Sequence, residues 1–86
     1  MTEENDKRSL VRTRGIALWN ELLRDEAALL SHPGAHHKAL LSKAHSLYRA
    51  QVISCDDLSD LLEQADGALA YAVEALMDYQ ISGMED

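Results

Sequence analysis

Four histidines, one cysteine and an uneven spread of carboxylates are the residues of this chain whose types lend themselves to chemistry. His32, His36, His37 and His45 offer imidazole nitrogens of the kind that hold zinc or nickel. Their spacing works against a shared ion. His32 and His36 straddle Pro33, His36 and His37 are adjacent and diverge on a helix, and His45 lies about two turns further on. Only a site assembled between subunits would make them converge. Cys55 is the single cysteine, so it has no internal disulfide partner; with no base beside it, it reads as a small apolar residue near a helix start. There is no supported Ser/His/Asp constellation and no glycine-rich phosphate loop. The expectation is therefore a protein that is not an enzyme, with no catalytic residue, cofactor or bound metal. An enzyme or metal-binding protein working through the histidines is the weakest alternative.

The carboxylates carry more information. The 86 residues have a formal charge of −7, and its distribution is lopsided. Residues 1–14 hold four bases, Lys7, Arg8, Arg12 and Arg14, against three acids, whereas the stretch 50–86 holds nine acids and no lysine or arginine. Asp56, Asp60, Glu63, Glu74 and Asp78 fall along one side of a predicted helix. Such a row is ordinarily a solvated face, but it also suits a partner with a basic surface, where complementary charge sets encounter rate and specificity. The junction from Tyr48 to Asp66 has the outline of a helix-turn-helix reader. Its second helix would begin Ser54, Cys55, Asp56, Asp57 and present carboxylates to phosphates, which excludes major-groove readout of DNA by that helix.

These residues need helices to position them. With 47% hydrophobic residues, the chain is long enough for one domain with a small core. The apolar positions Val11, Ile16, Trp19, Leu22, Leu23, Ala27, Leu29 and Leu30 make one helical stripe, and Gly15 interrupts it at a cost of about 1 kcal/mol. Trp19, at helical spacing among leucines, is expected in the core. Pro33 and Gly34 end that helix. Leu40, Leu41, Ala44, Leu47 and Tyr48 give the inward face of a second. Ser54 and Asp57, bracketed by Ile53 and Leu58, form a capping box with a hydrophobic staple, so a third helix starts at a defined place. Its seam is Leu58, Leu62, Ala65, Leu69, Ala72, Leu76 and Tyr79, and Ser82 and Gly83 are its expected stop.

The predicted fold is all-α: helices at about 9–31, 35–52 and 55–80 in a three-helix up-down-up arrangement, with helical dimerisation as one way to complete the core. Residues 1–8 are a polar tail, 9–81 a single helical domain and 82–86 a short acidic tail. A second seam on the third helix, Leu61, Ala65, Ala68, Ala72, Ala75 and Tyr79, is small enough for another backbone to approach, and marks a surface for self-association into a homodimer. This topology sets Arg8 and Arg12 near Asp56, Asp57 and Asp60. At the opposite end His36, His37 and Lys38 are the nearest groups to compensate Glu74 and Asp78, in which case a facing imidazole would have a raised pKa. No secretory signal and no apolar run of about 18 residues is present, so the expected location is cytoplasmic, without a membrane. The expected function is a small acidic protein–protein interaction module, an adaptor or regulator that binds a partner through its third helix. The alternative is an acidic nucleic-acid mimic that inhibits a DNA- or RNA-binding protein.

Overall fold

The computed structural model describes the backbone of residues 2–85 and the side chains of residues 7–78. It is all-α, with four helices where three were expected: α1 Thr2–Leu23, α2 Glu26–Ser31, α3 Pro33–Arg49 and α4 Cys55–Glu85. The first expected helix is broken at Arg24 and Asp25. Asp25 is the reason, because its carboxylate accepts from the Ala28 backbone N–H at 3.2 Å and caps a new start. His32 then serves as the last residue of one helix boundary and the first of the next. Pro33 does not end a helix but opens α3 at its first position, where its missing N–H costs nothing.

The described parts of both expected tails, residues 2–8 and 82–85, are also helical. Residues 2–8 are polar, yet they contain no proline or glycine and are rich in Glu, Lys and Arg, so nothing stops α1 short of Thr2. At the other terminus, α4 continues through Ser82 and Gly83 to Glu85. A lone glycine costs about 1 kcal/mol in a helix, too little to end one without a proline or a left-handed turn behind it.

The core lies in the middle of the molecule. Trp19 from α1, Leu40 and Ala44 from α3, Ile53 before α4, and Leu61 and Ala65 from α4 form one buried cluster. Leu29 on α2 and Ala72 on α4 are buried beside it. Two side-chain hydrogen bonds cross between α1 and α3. The Trp19 indole Nε1–H donates to the Leu40 carbonyl at 2.9 Å, and the His36 ring Nε2–H donates to the Leu22 carbonyl at 2.7 Å. Each helix thus donates once and accepts once, one turn apart. The second bond adds to the Asp25 N–H that the Leu22 carbonyl also accepts at 3.2 Å, at the end of α1.

The α3–α4 turn closes the bottom of the core. Val52 N–H reaches back to the Leu47 carbonyl and Gln51 N–H to the Tyr48 carbonyl, both at 2.9 Å, the paired bonds of a Schellman motif. The motif puts its fifth residue in the left-handed region. That residue is Gln51, at φ 63°, where glycine is usual. Val52 and Leu47 then form the floor on which α1 rests: a Cβ added at Gly15 would lie 3.1 Å from Val52 and 3.3 Å from Leu47. Gly15 is therefore a point of close approach between α1 and the turn.

The body measures 66 × 17 × 16 Å. Its radius of gyration of 16.3 Å exceeds the roughly 12 Å of a compact chain this long. Two overhangs account for the length. From Arg12, which is level with the start of α4, α1 projects about 15 Å back to Thr2, and from Ala72 α4 projects about 20 Å on to Glu85.

Candidate functional site

The junction between α1 and α4 is held by a set of linked polar contacts. Ser54 and Asp57 make the expected capping box: Asp57 N–H donates to Ser54 Oγ and Ser54 N–H to Asp57 Oδ2, each at 3.1 Å. The same carboxylate accepts a two-pronged contact from Arg12, with Nε on Oδ2 and Nη2 on Oδ1, both at 2.7 Å. Bidentate pairing of this kind fixes orientation as well as charge. It joins two elements 45 residues apart in sequence. The Arg12 hydrogen bond is the largest influence holding the Asp57 carboxyl well below the usual carboxylate range, followed by the Ser54 N–H; the pair also raises Arg12.

Beside this junction lies a groove of about 570 Å³ between the α1 overhang and the α3–α4 turn, lined among others by Lys7, Arg8, Val11, Arg12, Gln51 and Val52. Its α1 wall carries three bases together with Val11, and the turn supplies Ala50, Gln51 and Val52. Sequence reading identified the four bases of this region but not the concavity. The concavity needs the α3–α4 turn to fold under α1, which depends on Gly15 and on the left-handed Gln51.

On α4 the five expected acids, Asp56, Asp60, Glu63, Glu74 and Asp78, are all exposed. They divide into two groups. Asp56, Asp60 and Glu63 lie alongside the core, and Glu74 and Asp78 lie on the overhang, with Gly67 and Ala70 on the same side between them. Val73 and Met77 flank the second group at 44% and 53% exposure.

The small-residue seam is placed differently from the expected self-association surface. Leu61, Ala65 and Ala72 are buried by the chain's own helices, and Ala68 and Ala75 are half-buried. Of the described seam residues, Ala68 and Ala75 are the ones left open to a second chain, because α2 and α3 pack against α4. Tyr79 lies outside the described side chains.

The histidines do not face Glu74 and Asp78, which corrects the expected compensation. His36 is buried and turned to the Leu22 carbonyl, with its Nδ1 unpartnered among the described residues. His37 Nε2–H donates to Asp66 Oδ1 at 2.9 Å, about two turns before Glu74 and three before Asp78 on α4. His32 and His45 are exposed. Among the described residues no three of His, Cys, Asp and Glu gather as a metal-binding group. Cys55 is exposed at the first position of α4. No helix among the described residues is long and apolar enough to cross a membrane. No family model matches the chain, and no curated protein or solved structure matches it either.

Proposed function

We propose that this protein is a non-enzymatic interaction module, an adaptor or regulator that meets a partner with a basic surface through the outer side of α4. The observation that carries this reading is the exposure of all five acids on the side of α4 opposite the core. In that reading α1, α3 and α4 act as an up-down-up frame, with α2 a short splice between the first two. The steps Gly15 to Leu47, Trp19 to Leu40 and Leu22 to His36 support it, since they run in opposite directions along α1 and α3. The frame's role is to hold α4 straight and its acids turned outward. The residues assigned to the foreign partner are Asp56, Asp60 and Glu63, which lie where the core stiffens the helix. The proposed setting is the cytoplasm.

The test is affinity capture with the tagged chain at low salt and at about 0.5 M salt, where the screening length falls to a few ångströms. A basic protein retained by the native chain at low salt and lost by Asp60→Lys with Glu63→Lys supports the proposal. Retention by that variant, with its helical circular dichroism intact, overturns it. Displacement of the captured protein by DNA or RNA would assign the acids to nucleic-acid mimicry instead.

A further inference from the structure

Near opposite ends of the elongated body lie two local patches, one basic in the groove and one acidic on α4, each with apolar side chains in solvent beside it. At one end the groove presents Lys7 and Arg8 beside Val11 and Val52, with Val11 at 52% exposure. At the other end the α4 overhang presents Glu74 and Asp78 beside Val73 and Met77. Among the described residues nothing brings these patches together. The Arg12–Asp57 contact sets the groove level with the first turn of α4, and Glu74 and Asp78 lie 17 and 21 residues further along that helix, about 26 to 32 Å away.

We propose that the two ends are the halves of one interface, and that the occupant of the groove is the α4 overhang of a second copy in an antiparallel two-fold dimer. Turning a second copy end for end places its Glu74 and Asp78 beside Lys7 and Arg8 of the first. The same rotation places its own Lys7 and Arg8 beside the first copy's Glu74 and Asp78. Both grooves are filled at once, so the contact is isologous and closes. The axis falls near the middle of the 66 Å body, and the overhangs that make a single copy long then lie against a neighbour. Each acid–base pair is weak alone because it is exposed. Symmetry doubles the set, and Val73 and Met77 withdraw apolar surface against Val11 and Val52. End-to-end stacking of parallel copies would use the same contacts but leave one groove and one overhang open at each stage, which gives fibres and not a closed pair.

The inference rests on the reading of α4 as a docking helix but uses its distal acids only, leaving Asp56, Asp60 and Glu63 to the foreign partner. Sedimentation velocity of the full chain tests it. The native chain is expected to sediment as a dimer at low salt and to dissociate about tenfold or more readily at roughly 0.5 M salt. Lys7→Glu with Arg8→Glu, and separately Glu74→Lys with Asp78→Lys, should each give folded monomers. An equal mixture of the two variants should restore a dimer, because both contacts are then complementary, and so should one chain carrying all four changes. Glu74→Gln with Asp78→Asn serves as a milder variant that weakens the dimer without new repulsion. A native chain that is monomeric throughout, species larger than two chains, or folded variants that remain dimeric alone or fail to pair when mixed would overturn the proposal. None of these outcomes bears on capture through Asp60 and Glu63, so the two readings stand or fall separately.

Discussion

Asp57 does two jobs with one carboxylate, and removing its charge should expose both. It accepts the Ser54 N–H as a helix cap and clamps Arg12 across the α1–α4 junction. Asp57→Asn keeps an acceptor for the cap but loses the bidentate partner of Arg12, whereas Ser54→Ala removes the hydroxyl half of the box and leaves the Arg12 contact. The cap is worth about 1 kcal/mol, which in a domain of this size moves the melting temperature by roughly 4 to 8 °C. Ser54→Ala should show that loss at every pH. Asp57 differs because its folded pKa is depressed below the ordinary 3.8. A depressed acid stabilises the fold above its unfolded pKa, and that contribution fades as pH falls from about 4 toward the lower folded value. The native chain should therefore lose melting temperature on acidification through this window more steeply than Asp57→Asn. Half of the Arg12 side chain is exposed, at 49%, so salt should shrink the difference. Thermal melts followed by circular dichroism between pH 3 and 7 make the comparison. Parallel acid limbs for the native chain and Asp57→Asn would refute the assignment, since other carboxylates would then be responsible.

Two further substitutions probe the frame. Gln51→Gly should stabilise the protein by roughly 0.5 to 1 kcal/mol, because relief of the left-handed backbone outweighs the extra freedom glycine gives the unfolded chain; an unchanged or lower urea midpoint would contradict the geometry at that residue. Trp19→Ala should cost about 3 to 5 kcal/mol by opening a cavity at the fully buried centre, a large part of the stability available to a chain this short; a variant that keeps a native-like melt would place the core elsewhere.

Much of this frame is readable from residue order, and the exceptions share a cause. The start of α4 follows from Ser54, Asp57 and their flanking apolar residues, since a capping box is a local device whose parts lie three residues apart. The helical class follows from apolar spacing, and the proximity of Arg12 to Asp57 from helix order. The break after Leu23 is hidden because Leu22, Leu23, Ala27, Leu29 and Leu30 keep a helical rhythm across it. Asp25 was the available signal, as a good cap residue followed by Glu26. The extension of both terminal helices is hidden for the opposite reason: polar sequence without breakers is helical only by small propensities. The histidine partners depend on side-chain direction across a tertiary contact. A shift of one residue between His36 and His37 separates a buried bond to the Leu22 carbonyl from a surface contact with Asp66.

The overhangs also separate how helical the chain is from how much of it is held. Among the described side chains, no hydrogen bond ties α1 before Arg12 or α4 after Ala72 to another element, so those turns depend on the bonds of their own helix. The segment between them is tied by Trp19, His36 and Arg12 to other elements and opens only when those contacts break together. The body thus has a middle tied across elements, and a contact that gathers both ends would let the described lengths of α1 and α4 melt with it as a unit.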